Sequence, residues 1–257
     1  MVLVQKELKN AYIWSTPVKR ATIRVNGTEK QVRPSGWQPW ANTLWYYTFD
    51  DQNANQITDF SWNNRNLTWG TMPSYTLVDW TNYAGNYTNV SSGYAPNYSN
   101  FWALDGDFTM LVWVKPTSSS QSYVNSLYYT TGQYQEHQIS IIWNYNSGQF
   151  EYFDYYDPGW AGVTKRTAIK TWASLDTWYL IGYTRDGTSV ITYCDWIAWN
   201  TITWNNSTIS KWLWLWSSSS ADRFKWQIWD CVIENKARTA QEISDYYNQT
   251  KANYWIS

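Results

Sequence analysis

Glycine is short in this chain, with 12 in 257 positions where average usage gives roughly 18. Cysteine is scarce too. Cys194 and Cys231 are too few for a disulfide framework, so a core rather than staples must hold the fold. A chain of this length buries about 70 to 75% of its unfolded surface, and that requires neither metal nor cofactor. His137 is the only histidine, which excludes a histidine-rich metal site. No serine has a partner that can be read from order alone, so a hydrolytic triad is not expected. Charged residues make up 15%, with 19 basic against 20 acidic and no basic block. A groove that tracks phosphates has no support, and nucleic acid is not an expected partner. The longest uncharged apolar run, MLVWV, is far below the ~20 residues of a membrane helix, so no membrane partner is expected.

Tryptophan is in excess, at 22 residues, and its placement is odder than its number. In SKWLWLWSSSS, RFKWQIWDC, YCDWIAWN and DFSWNNRN the bulkiest side chain stands among turn-like and polar residues, at what turn chemistry makes glycine positions. Writing glycine for tryptophan gives DFSGNN, YCDGIAGN and RFKGQIGDC, each of which reads as a hairpin turn or a tight strand junction. Trp113 in FTMLVWVKP and Trp178 in DTWYLIGY lie instead in apolar strand patterns and read as core residues. Two readings stand. One is an aromatic-rich sugar-binding surface. The other is a gene from a lineage that reads UGA as glycine, as some uncultured bacteria and their phages do under an alternative genetic code, translated with UGA as tryptophan. The second is preferred, because a sugar platform needs a few aromatics on one face and not tryptophan in every turn. It takes Trp62, Trp196, Trp226 and Trp229 as recoded glycines.

Residues 1–40 read as an arm and 41–257 as one domain. Within the arm, ATIRVNGTEKQVR alternates around Asn26-Gly27, the pair best suited to a type I′ turn, which predicts a β-hairpin. From Asn42 onward short alternating runs recur, among them TLWYYTFD, FTMLVWVKP, HQISIIWNY and GQFEYFDYY. That rhythm predicts an all-β, two-sheet antiparallel sandwich. Asp186-Gly187 and Ser147-Gly148 mark two more hairpins. One short C-terminal helix is expected in TAQEISDYYNQTK, where Thr239 and Glu242 match a capping box and Ile243, Tyr246 and Tyr247 form one apolar face.

Three segments, in order, carry a resemblance: LDGDFTMLVWVKP, TWYLIGYTRDGTSVITYCDW and RFKWQIWDCVIENKARTAQEISDYYN. They resemble the laminin-G-like, pentraxin-like branch of the concanavalin A-like lectin and glucanase group over roughly residues 42–250. The resemblance implies a jelly-roll sandwich, with Trp196 and Trp226 standing where members carry glycine. The arm, with LKNAYIW and QVRPSGWQPWANTLWYY, looks like the N-terminal segment of phage virion or tail-fibre proteins. The opening MVLVQKELKN has charges where a secretory signal needs an apolar core. A virion or extracellular surface location reached by lysis is therefore expected, with other virion or surface proteins as partners of the arm. An arm hairpin also offers an edge for a homo-oligomer.

The same fold hosts laminarinase-type glycoside hydrolases, whose catalytic carboxylates share one face of a strand. Glu151 and Asp154 are three apart in GQFEYFDYYD and so fall on opposite faces, and no enzyme is expected. Cys194 and Cys231 replace aliphatic residues in strand motifs and read as buried free thiols. His137 reads as a residue of the polar face or start of its strand. The resemblance also implies a structural calcium site, with Asp59 and Asp230 supplying carboxylates and Asn63 an amide oxygen; the alternative is that Asp59 and Asn63 stabilise an Asx turn. For a glycan or host-surface polysaccharide, Trp143, Tyr145 and Tyr155 are the candidate ligand residues, because aromatic faces stack on sugar C–H surfaces. The expected function is a non-catalytic recognition or adhesion module, glycan-binding, on a phage particle or bacterial surface. A purely structural virion protein and a glycoside hydrolase are the alternatives.

Overall fold

The computed structural model describes residues 12–13, 16–17, 21–25, 28–32, 41–49, 56–61, 63, 65–67, 74–77, 83–86, 97–98, 106–117, 122–130, 136–144, 148–157, 163–203, 212–215 and 227–251. In the strands at 12–32, 76–77, 83, 86, 97–98, 122–144, 153–157, 163–164 and 212–215 it describes the backbone. In chain order the elements are β1 (Tyr12–Ile13), β2 (Thr16–Pro17), β3 (Ala21–Val25), β4 (Thr28–Val32), β5 (Thr43–Tyr47), β6 (Ser74–Leu77), β7 (Tyr83–Asn86), β8 (Asn97–Tyr98) and β9 (Phe108–Lys115). They continue with β10 (Ser122–Thr130), β11 (Glu136–Asn144), β12 (Gln149–Asp157), β13 (Val163–Lys170), β14 (Tyr179–Asp186), β15 (Ser189–Cys194), β16 (Ile197–Thr203), β17 (Trp212–Leu215), β18 (Gln227–Glu234) and α1 (Ala240–Thr250).

Two antiparallel sheets make a β-sandwich, as the sequence rhythm predicts. One has six strands in the order β13-β12-β11-β10-β17-β8, the other eight in the order β16-β15-β14-β9-β18-β7-β6, with β5 also on β18. Between them lies the main core: Phe108, Met110 and Val112 from β9, Ile181 and Tyr183 from β14, and Phe150 and Tyr152 from β12. β9 is buried from Phe108 to Val114 without alternation, because its other face is covered as well. Leu111 and Trp113 there join Leu180, Trp229 and Val232 in a second cluster closed by Ile243, Tyr246 and Tyr247 of α1. Trp113 stacks on Tyr247 at 5.5 Å, and its Nε1 donates to Thr250 Oγ1 at 3.1 Å.

The hairpins fall close to the predicted places. In the arm β3 and β4 pair antiparallel with Val25 opposite Thr28, on either side of Asn26-Gly27, which lies outside the described residues. Asp186 pairs with Ser189, so the loop there is Gly187-Thr188, one residue later than the sequence signal, with Gly187 at φ +55°. Two tryptophan segments are corrected. Residues 212–215, read as a turn, are strand β17. Trp229, also read as a turn residue, lies fully buried within β18 beside a register shift between Ile228 and Cys231. Trp62 and Trp226 lie outside the described residues.

Charge fixes the helix to the sheet edge. Arg238, 5% exposed, reaches Glu234 of β18, 0% exposed, at 2.5 Å and Glu242 of α1 at 2.7 Å. Thr43 Oγ1 donates to Glu234 at 2.9 Å, and Lys236 meets Glu242 at 2.7 Å. The capping box is present: the Thr239 N–H donates to Glu242 Oε2 at 2.9 Å and the Glu242 N–H to Thr239 Oγ1 at 3.2 Å. Burial pushes the Glu234 carboxyl up, against the pull of Arg238 and Thr43. Burial would raise Glu242 too, but the bonds from Lys236, the Thr239 backbone and Arg238 outweigh it and hold its pKa at about 2.

A folded-state pKa below the ordinary 4.5 means that Glu242 contributes stability above the ordinary value and loses it as pH falls through the folded one. Glu242→Gln is expected to lower stability at neutral pH by about 1 kcal/mol or more, the size of a lost cap. In thermal melts of wild type and variant, the difference should be full at pH 7 and nearly gone by pH 2.

Candidate functional site

Since α1 packs on the outer face of the eight-stranded sheet, the six-stranded sheet offers the other broad face. Its sides follow from one strand. Phe150 and Tyr152 on β12 are fully buried between the sheets, so Glu151, Phe153, Tyr155 and Asp157 hold positions of the opposite parity, on the outer face. Ladder pairing extends that parity across the sheet. Phe153 pairs with Arg166 on one side and Ser140 on the other, Ser140 with Ser126, Ser126 with Trp214, and Trp214 with Asn97. The next row holds Thr164, Tyr155, Gln138, Tyr128 and Trp212. Aromatic positions thus alternate with Ser, Gln, Asn and Arg positions on one continuous face. That mixture suits a ligand with both C–H surfaces and hydroxyl groups.

Two carboxylate features belong to this face. Glu151 is buried, accepts a hydrogen bond from Gln149 Nε2 and lies 3.8 Å from Arg166, whose side chain is half exposed. At the end of the β11–β12 ladder Glu136 is paired directly with Asp157. Directly opposed positions have Cβ atoms about 4.5 to 5.5 Å apart, and like charges there repel. Asp154 pairs with Ile139 and has the parity of Tyr152, so Glu151 and Asp154 occupy opposite faces, as their spacing predicts.

The candidate ligand residues separate. Trp143 pairs with Phe150 and has the core-side parity, Tyr155 is on the outer face, and Tyr145 lies outside the described residues. Trp212 and Trp214 were missed because their segment was read as a turn; the signal was the strict W-L-W-L alternation. Glu136 and Asp157 were missed because cross-strand pairing is not visible along the chain. His137 is the second residue of β11 and pairs with Tyr156.

The three residues assigned to calcium do other work. Asp59 Oδ1 accepts from the N–H groups of Tyr46 at 3.0 Å and Ser61 at 2.9 Å, and Oδ2 from the Arg65 N–H at 2.8 Å and the Ser61 hydroxyl at 2.7 Å. The bond from the Ser61 N–H is the Asx turn that was the alternative to metal binding. Asn63 Nδ2 donates to the carbonyls of Thr43 at 3.0 Å and Leu44 at 3.1 Å. Asp230, fully buried, accepts from the Tyr46 hydroxyl at 3.4 Å. With four donors on Asp59, its carboxylate does not fit a calcium ligand, because a cation there would displace bonds that shape the loop. Among the described residues no three His, Cys, Asp or Glu side chains are grouped to hold an ion. Cys194 and Cys231 are buried free thiols, and burial pushes both well above the usual thiol range.

No protein-family model matches the chain, and no curated protein matches it. Solved structures do. Domain 4 of AbnA, a GH43 extracellular arabinanase from Geobacillus stearothermophilus solved in complex with arabinotriose, is similar over 80% of this chain and 98% of its own, at 15% identity and TM-score 0.56. Trypanosoma rangeli sialidase is similar over 85% of this chain but 34% of its own, at 11% identity and TM-score 0.57. The binding domain of botulinum neurotoxin DC, in complex with rat synaptotagmin II, matches over 80% of this chain and 51% of its own, at 12% identity and TM-score 0.54. At these identities the likeness shows the fold, a β-sandwich, and this chain spans about a third of the sialidase.

Removing four hydrogen bonds from a buried loop carboxylate costs roughly 2 to 4 kcal/mol. Asp59→Ala is expected to lower the melting temperature accordingly. The wild-type melting temperature should be the same in EDTA and in millimolar calcium.

Proposed function

We propose that the protein is a glycan-recognition module that binds saccharide on the outer face of its six-stranded sheet. The observation that carries this reading is the register, which gathers Phe153, Tyr155, Tyr128, Trp212 and Trp214 positions with Ser140, Gln138, Asn97 and Arg166 positions on the one broad face not paired with α1. Pyranose rings present C–H patches that stack on aromatic faces, and their hydroxyl groups take hydrogen bonds from amides and hydroxyls between the rings. The likeness to an arabinanase domain solved with arabinotriose supports the ligand class. In this reading the module works by adhesion, displayed on a phage particle or a bacterial surface, with the arm docked to other surface proteins.

The glycoside hydrolase alternative draws on one observation, the direct pairing of Glu136 with Asp157 at the rim of this face, since retaining hydrolysis needs two carboxyls about 5 Å apart. The pair ends the described ladder, with no second row of aromatic positions beyond it, and this favours binding over cleavage.

A glycan array probed with the purified chain is expected to give saccharide binding. Tyr128→Ala and Tyr155→Ala should each weaken it about 2- to 12-fold, the worth of one aromatic contact, with unchanged melting temperature. Binding indifferent to both variants would remove the face from the account. Reducing-end release from polysaccharides is expected to be absent; release abolished by Glu136→Gln or Asp157→Asn would replace the binding reading with the hydrolase.

A further inference from the structure

We infer that residues 172, 196 and 199 are glycines in the organism that encodes this protein, their codons being UGA. Trp172 has φ +56°, the same conformation as Gly148 at +57° and Gly187 at +55°. A bulky L side chain is a rare outlier in that region, because its Cβ crowds the backbone, whereas glycine enters it freely. Nothing offsets the strain, since Trp172 is 87% exposed. Its neighbours hold the connector without it: the Ala173 N–H donates to Gly148 O at 3.0 Å and the Ser174 N–H to the Tyr179 hydroxyl at 2.8 Å.

The other two exposed tryptophans stand at the remaining kinds of glycine site. Cys194 pairs with Ile197, so Asp195-Trp196 is a two-residue hairpin loop. Asp195 takes φ +58°, and Asp-Gly is among the strongest sequences for such a loop. Trp196 is 48% exposed and is not itself at positive φ; its ring lies 4.7 Å from that of Tyr247 on α1. On β16 the register passes from Thr192–Asn200 to Tyr193–Ala198, which makes Trp199 the extra residue of a β-bulge, another position that glycine marks. It is 37% exposed. Together these are all of the strongly exposed tryptophans among the described residues. Trp113 differs from them in being fully buried, with its indole N–H bonded to Thr250.

The inference separates the tryptophans by backbone and burial. It is independent of the glycan reading, whose face includes none of residues 172, 196 and 199.

Two measurements test it. The nucleotide sequence of the gene is expected to show UGA at 172, 196 and 199 and UGG at 113 and 178; UGG at 172, or UGA at 113 or 178, overturns it. In the full chain, Trp172→Gly should raise the melting temperature by about 2 to 4 °C, whereas Trp172→Ala, which keeps a Cβ in the left-handed region, should not raise it. Trp113→Gly should lower it by roughly 10 °C. A Trp172→Gly variant no more stable than Trp172→Ala overturns the assignment of glycine there.

Discussion

The burial of both faces of the eight-stranded sheet governs the rest of the molecule. A sheet covered on one side alone shows alternating apolar and polar residues, while one covered on both must be apolar at every position. β9 meets that demand: Met110 and Val112 fill the space between the sheets, and Leu111 and Trp113 fill the space under α1. The outer layer exists because an eleven-residue helix is held in place by a capping box and by Arg238, which bridges Glu234 at the end of β18 to Glu242 in the helix. A buried pair of this kind gives little net stability but is costly to break on one side, so it fixes position more than it adds strength. Where α1 lies on β9, β14 and β18 the sheet has no free face, while β16 at its edge stays exposed.

The loop at residues 56–67 shows the same economy of polar groups. Asp59 enters it with a charge that water would otherwise solvate, and four donors replace the water. Two of those donors, Tyr46 and Arg65, come from outside the turn, so the carboxylate ties the loop to β5 as well as bending it. A resemblance in residue type between such a turn and a cation site is natural, because both collect acid and amide oxygens. The direction of the hydrogen bonds tells them apart.

Local features were legible in the sequence wherever local chemistry decides. Thr239 and Glu242 announced the helix start, Ile243, Tyr246 and Tyr247 its buried face, and Asn26-Gly27 its hairpin. Glu151 and Asp154 could be placed on opposite faces from their spacing alone, since no bulge separates them. The candidate site was less legible, because which face of β11 or β12 meets the core is a property of pairing. Trp143 looks the same in sequence as Tyr155, yet only the first is paired with Phe150. Residues 212–215 were obscured by a different conflict: tryptophan excess made every such segment look like a misplaced glycine, although alternating Trp and Leu is a strand signature.

That conflict also limits which residues can carry an argument about binding. A tryptophan on the outer face is ambiguous until its backbone is considered, because a recoded glycine and a sugar platform give the same letter. In β17 the backbone is extended and paired with β10 and β8, a conformation that any residue adopts, so conformation does not decide Trp212 and Trp214. The tyrosines escape the ambiguity. Tyr128 and Tyr155 flank Gln138 directly across the ladder, giving two aromatic positions with an amide position between them on adjacent strands about 4.8 Å apart. The proposed saccharide face can therefore be argued from these tyrosine and glutamine positions alone, without the tryptophans and independently of their codons.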